Sequence, residues 1–378
     1  MTILTEEQTL IVDMAAKFTD DVLRPNAARW ELEETLDREV LKSLGELGFG
    51  GIYVSEELGG SGLSRFDAVL IFEQLSKGDI SHATFLSIHN MASAMIDKFG
   101  SDEVRKTYLP RLTSCDLIAS YCLTEPNSGS DAASLRTRAE NDGDGYVLNG
   151  SKVFISGAGF SDVYIVMART SDDGAKGIST FLVEKNTPGL SFGKHEEKMG
   201  WRAQPTAVVS FDNCRVPETN RVGTEGHGFK YAMAGLDGGR LNIAAASLGG
   251  AQEAMDRALA YSKDRKQFGR AISEFQATQF KLADMEIELS AARALLYEAA
   301  RKLDAGAPDA SKACASAKRF VTDTGSKVAN DALQIHGGYG YLKDYEVERI
   351  VRDLRVHQIL EGTNEIMRVI VARELLKG

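Results

Sequence analysis

Apolar residues recur at helical spacing in the first and last thirds of the chain, and at strand spacing between them. Thr5-Glu6-Glu7-Gln8 fits a capping box, and Ile11, Met14, Ala15, Phe18 and Val22 follow three or four residues apart. Helical patterns continue over Val40–Leu47, Arg65–Leu75, Ser87–Phe99 and Glu103–Leu112, broken by Gly59-Gly60-Ser61-Gly62. In the middle third, Tyr146-Val147-Leu148 and Val153-Phe154-Ile155 flank Asn149-Gly150, a hairpin signal. Val163–Ala168, Ile178–Val183 and Ala207–Phe211 add strand-like runs separated by turn residues, which predicts a small antiparallel β domain. Helix returns over Leu241–Tyr261, from a second capping box at Ser273-Glu274-Phe275-Gln276 to about Leu303, over Ser311–Ile335, and after Glu346. The prediction is an α+β chain with a helical domain over 1–118, a β domain over 119–225 and a helical domain over 226–378.

Composition narrows the partners. The 378 residues are 43% hydrophobic and 26% charged, an ordinary globular balance. A formal charge of −10 with no long basic block argues against nucleic acid and anionic membrane. No apolar run is long enough to span a bilayer, and MTILTEEQTL lacks the basic and apolar regions of a leader, so a cytoplasmic location is expected. Cys115, Cys122, Cys214 and Cys314 form no CxxC pair and read as buried reduced thiols. The six histidines show no metal-ligand spacing.

Several segments carry candidate chemistry. In ILEG, Glu361 sits between apolar residues and Gly362, whose backbone freedom lets the chain lay a carboxylate into a pocket. A poorly solvated carboxylate is a stronger base toward a carbon acid. The competing reading is a solvated Glu at a helix-breaking Gly. YCLTEPNSGSD (Tyr121–Asp131) offers hydroxyls and turn residues to a ligand, or is an ordinary polar turn. KVFISGAG places Phe154 and Ser156 on one strand face, suited to a planar cofactor or to half-burial. RKQFG groups Arg265, Gln267 and Phe268 as a phosphate-binding or simply solvated turn. The glycines of Gly337–Gly340 follow a helix, which argues against a nicotinamide fingerprint and leaves a C-cap or a close ligand approach. GLSFG at Gly189–Gly193 matches a hydrolase pattern without its strand–turn–helix context.

Taken together and in order, YCLTEPNSGSD, FISGAG, RKQFG, QIHGGYGY and ILEGTNEIMR make the chain resemble the acyl-CoA dehydrogenase family over nearly its whole length. SIHNMASAMID, TPGLSFGK, LDGGRLNIA and HGGYGYLKDY are most similar to the family branch that oxidises isobutyryl-CoA. The resemblance implies a helical N-terminal domain, an antiparallel β-barrel-like middle domain and a C-terminal four-helix bundle. It further implies noncovalent FAD, an acyl-CoA substrate, a homotetramer and an electron-transfer flavoprotein as acceptor.

By matching positions, the resemblance assigns Tyr121, Leu123, Thr124, Gly129, Ser130, Phe154, Ile155 and Ser156 to the flavin and thioester region. Arg265, Gln267, Phe268, Phe275, Gln276, Gln334, Ile335, His336, Gly337 and Gly338, with Thr363, Asn364 and Glu365, are assigned to FAD, much of it bound to a neighbouring subunit. Asp237, Gly238, Gly239, Arg240 and Arg373, with Ser130, are assigned to the CoA substrate, and Glu361 to the α-proton base. Phe154 stands where many members carry Trp, Asn127 where Gly is common, and Leu360 where Tyr is frequent. The reaction implied is conversion of isobutyryl-CoA to methacrylyl-CoA in valine catabolism, with 2-methylbutyryl-CoA or butyryl-CoA as alternatives. A flavin oxidase or a noncatalytic flavoprotein assembly factor are the rival readings.

Overall fold

The computed structural model describes residues 4–377; Met1–Ile3, part of the stretch read for a leader, and Gly378 lie outside it. Six helices come first: α1 (Glu6–Phe18), α2 (Arg24–Glu33), α3 (Arg38–Glu46), α4 (Arg65–Gly78), α5 (Ile80–Phe99) and α6 (Asp102–Thr113). The capping box at Thr5 forms as predicted, with the Gln8 N–H donating to Thr5 Oγ1 and the Thr5 N–H to Gln8 Oε1. The strands are β1 (Ala119–Cys122), β2 (Arg138–Asn141), β3 (Gly145–Ser156), β4 (Val163–Arg169), β5 (Ile178–Glu184), β6 (Leu190–Phe192), β7 (Thr206–Pro217) and β8 (Arg221–Val222). Then come α7 (Gly228–Asp264), a two-stranded ribbon of β9 (Lys266–Gln267) and β10 (Arg270–Ala271), α8 (Gln276–Asp304), α9 (Ala310–His336), α10 (Val347–Arg355) and α11 (Asn364–Leu375).

The helix–sheet–helix order matches the expectation, and three local features differ from it. The sheet, ordered β6-β7-β3-β2-β4-β5-β8 with β1 also on β4, is mixed: β1 and β2 each pair with β4 in parallel. Asn149-Gly150 is not a hairpin turn. β3 runs straight through it as one strand with a register shift, Gly150 taking φ +142 and Asn149 Oδ1 accepting from the Asn213 N–H at 2.8 Å. The pair thus makes a β-bulge, an alternative use of the same backbone freedom. The capping box at Ser273 is also absent. α8 starts at Gln276 without a side-chain cap, Glu274 bonds instead to the Ala271 N–H, and the Gln279 side chain reaches the Ser273 carbonyl.

The 37-residue α7 is the spine, packed against α4, α5, α8 and α9. Its middle is built of small residues, Ala244–Ala246 and Gly249-Gly250, all buried. A Cβ at Gly249 would stand 3.0 Å from the Glu73 carbonyl carbon of α4, so only glycine allows this approach. Glu73, itself buried, accepts from Arg293 Nε and Tyr297 OH of α8, both at 2.9 Å, which removes the penalty of an unpaired buried charge. The four cysteines are buried and free, as expected. No helix among the described residues is long and apolar enough to cross a membrane.

Candidate active site

Glu361 lies in the turn between α10 and α11, with left-handed φ of +53 followed by Gly362 at φ +90. A left-handed glutamate is strained, and such strain persists only where the surroundings impose it. The turn directs the carboxyl against α7: a Cβ at Gly239 would stand 2.9 Å from Glu361 Cδ and nearer still to Oε2. Oε2 is shielded from solvent and has no hydrogen-bond partner among the described residues. Burial pushes this carboxyl up to about 7, with the Arg240 and Lys318 charges pulling the other way. A carboxyl at that value is poised to take a proton near neutral pH.

Arg240 is held by its own helix turn. Its Nη1 donates to Asp237 Oδ1 at 2.5 Å, and Ser311 Oγ donates to Asp237 Oδ2. Arg240 Nε faces the Glu361 carbonyl at 3.5 Å. Tyr121 OH is buried with no partner among the described residues, and burial together with the nearby Glu361 charge pushes its pKa well above the usual tyrosine value, so it stays a neutral donor. Tyr121, Glu361, Gly239 and Arg240 therefore come together from β1, the α10–α11 turn and α7.

The β-domain residues are held by a buried ion pair that the sequence motifs did not single out. Lys152 Nζ donates to Glu125 Oε1 at 2.7 Å and to the Leu123 carbonyl at 3.1 Å. Glu125 also accepts from the backbone N–H groups of Arg136 and Thr137. With the Val153 N–H donating to the Thr124 carbonyl, this fastens the Leu123–Thr124 segment to β3. Leu123 and Ile155 are buried, Thr124 and Ser156 half-buried, Gly129 and Ser130 exposed. Phe154 and Ser156 do not share a face by simple alternation. The register shifts between Lys152 and Ile155, Phe154 takes φ +58, and its ring is 69% exposed.

The remaining cofactor candidates gather elsewhere. Arg265, Gln267 and Ile335–Gly338 line a cleft of about 380 Å³, walled by Tyr261 and Tyr339. A neighbouring groove holds Phe268, Phe275 and Gln334. Gly337 and Gly338 present bare backbone, with nothing within 4 Å of where a Cβ would stand. Phe268 is 94% exposed and left-handed. Gln276 is exposed at the start of α8. His336 is buried, bonded to the Ala332 carbonyl and stacked on Tyr261 at 4.5 Å. The cleft is open and more apolar than polar, with Arg265 in its lining and a bare glycine floor, which would suit a flat ring system carrying phosphates.

The other assigned positions divide. Thr363 caps α11 through the Ile366 N–H, Glu365 is exposed beside Arg368, and Arg373 is exposed. Asn364 is spent within its own chain: Oδ1 accepts from Lys318 Nζ, and Nδ2 donates to Thr322 Oγ1 and Asp323 Oδ1. Its side chain positions the turn and does not reach out to a cofactor. The space beside Gly238 is filled. A Cβ there would stand 2.7 Å from Arg65 Cζ, and that guanidinium stacks 3.6 Å over the Tyr53 ring. Lys318, Arg65 and Tyr53 were not among the sequence candidates, because nothing in their local patterns distinguishes them from helix and turn residues.

Known proteins place this geometry. The patterns described as acyl-CoA dehydrogenase N-terminal, middle and C-terminal domains match residues 5–116, 120–214 and 226–376. The chain is 56% identical over 375 residues to mitochondrial isobutyryl-CoA dehydrogenase of Dictyostelium discoideum, covering 99% of this chain and 90% of that one. It is 50% identical over 374 residues to the Bos taurus protein of the same name, with the same coverages. Among solved structures, the FAD complex of PigA superposes with a TM-score of 0.96 at 34% identity, over all of both chains. The chain belongs to the acyl-CoA dehydrogenase family and is an FAD-dependent oxidoreductase of acyl-CoA thioesters.

Proposed function

We propose that the chain oxidises a short, α-branched acyl-CoA, isobutyryl-CoA first, to the α,β-unsaturated thioester methacrylyl-CoA, as in valine breakdown. The observation that carries this reading is Glu361 Oε2, shielded from solvent, without a partner among the described residues and pressed against α7 at Gly239. Glu361 removes the α-proton. FAD supplies the acceptor for the β-hydride. The Glu361 backbone N–H donates to no group among the described residues, which leaves it free for the thioester oxygen as enolate charge develops. One such preorganised donor is worth roughly 3 kcal/mol in a barrier. Tyr121 and Arg240 close the site around the carboxyl.

A short acyl group suits the surroundings. Beyond Gly239, α7 meets polar groups: Arg65 fills the space at Gly238, and Tyr53 OH donates to Asn242 Oδ1 while Asn242 Nδ2 donates to Ser87 Oγ. A long alkyl tail driven along this face would strip those groups of their partners. The isobutyryl-CoA name of the 56% and 50% identical relatives favours the branched ester.

The electron acceptor we propose is an electron-transfer flavoprotein, met at the face carrying the exposed Phe154. The assembly we propose is a homotetramer, consistent with apolar Phe268, Phe280 and Ile287 standing exposed on the isolated chain.

The experiment compares kcat/KM for isobutyryl-, 2-methylbutyryl-, butyryl-, isovaleryl- and octanoyl-CoA, with anaerobic flavin bleaching as the direct readout. Isobutyryl-CoA is expected to lead, by margins near tenfold, since one methylene is worth about 1–3 kcal/mol. A preference for octanoyl-CoA or isovaleryl-CoA would overturn the substrate reading. Rapid peroxide release in air would replace the acceptor with oxygen.

A further inference from the structure

Lys318 on α9 is fully buried, yet no carboxylate lies within salt-bridge distance of its ammonium among the described residues. Its Nζ donates to two neutral oxygens, the Gly362 carbonyl and Asn364 Oδ1, both at 2.9 Å. A buried cation bonded only to neutral acceptors is an expensive arrangement, and a helix interior could carry an apolar residue there instead. The two acceptors are the residues that follow the Glu361 turn. Asn364 is in turn fixed to Thr322 and Asp323, so the ammonium is the hub joining α9 to that turn.

We propose that Lys318 is a positioning residue for the reaction: it clamps the carbonyl after Glu361 and places a fixed positive charge behind the carboxylate that must act as base. The inference rests on Glu361 being that base. The charged groups around Lys318 are Glu361, Arg240, Asp323 and Glu365. Arg240 is already matched by Asp237, Asp323 faces Arg319 and Arg368, and Glu365 meets Arg368. His357, also near, is held neutral: burial and the Lys318 charge push it down to about 3, and its nitrogens meet Ser247 and Trp201. That leaves Glu361 as the anion Lys318 serves. Burial brings Lys318 down to about 8, with Glu361 opposing the fall.

A mere structural peg and an electrostatic partner differ in what they do to proton equilibria. The first test is the pH dependence of anaerobic flavin reduction by the fastest acyl-CoA of the panel. In Lys318→Gln the limb that rises with pH should move up by about one unit or more, and in Lys318→Arg it should stay near its wild-type position. The second readout needs no turnover. Coupling between two charges is mutual, so removing the Glu361 charge must make Lys318 lose its proton at lower pH. In protein labelled with 13C at lysine Cε, the Lys318 signal, identified by its loss in Lys318→Arg, should titrate at lower pH in Glu361→Gln than in wild type. This arm decides the matter even where Lys318→Gln fails to retain FAD. An unmoved limb with FAD bound, or a Lys318 titration indifferent to Glu361→Gln, would overturn the proposal. Near-normal flavin reduction by Glu361→Gln is a separate failure, that of the base assignment.

Discussion

Gly239 and Glu361 touch: a methyl group added at Gly239 would stand 2.9 Å from the carboxyl carbon of Glu361 and closer to Oε2. The absence of a side chain on α7 is therefore what lets the Glu361 carboxyl occupy its place. Gly239→Ala should leave FAD bound and displace the carboxylate by a fraction of an ångström to an ångström. Misplacement on that scale lowers the reductive rate by about 10²-fold. Stopped-flow bleaching measures it. An alanine variant reduced at the wild-type rate would mean the carboxylate works from another position.

Glu361 also sets a pH-dependent stability. Its ordinary value of 4.5 rises to about 7 in the fold because burial disfavours the charged form. A raised carboxyl favours the folded state most below about 4.5, and that contribution is lost as pH rises through about 7. Glu361→Gln cannot ionise, so its melting temperature should match wild type near pH 5 and exceed it at pH 8. The gain at pH 8 should be roughly 1–3 kcal/mol for the ligand-free protein. Equal melting temperatures at both pH values would place the carboxyl in water.

The Arg265 cleft and the Glu361 turn are different neighbourhoods of one chain, and each should serve a different subunit's flavin. Arg265 stacks near Tyr339, its Cζ 5.3 Å from the ring centre, at the mouth of the cleft. Arg265→Ala should weaken FAD retention about tenfold or more, the value of one charge-assisted hydrogen bond. Mixing unfolded Arg265→Ala and Glu361→Gln chains and refolding them together should restore activity, because one hybrid site then has both wild-type residues. No recovery in hybrids that hold FAD would show that the two residues serve different reactions or the same subunit.

Much of this protein was legible along the chain because local rules and final structure agree. The Thr5 capping box, the 3.6-residue stripes of α3 and α9 and the largely apolar runs of β4 and β5 depend on neighbours three or four residues away at most. Glu361 was legible for the same reason: a carboxylate before a glycine can be read as a turn that aims a side chain. The misread elements were decided elsewhere. Asn149-Gly150 allows a hairpin or a bulge with equal ease, and pairing of β3 with the long β7 selected the bulge. Ser273-Glu274 had an alternative partner in the Ala271 N–H once β9 and β10 folded back.

The site itself joins residues that no spacing connects. Arg65 reaches Gly238 from 173 positions away and Lys318 reaches Gly362 from 44, a separation printed nowhere in either local pattern. Their roles come from burial, which turns an ordinary helical lysine or arginine into a charge that must find a partner. A sequence determines which residues are able to carry the chemistry. Only the packed interior, by removing water from Glu361, Lys318 and Tyr121 at once, decided which of them must answer to one another.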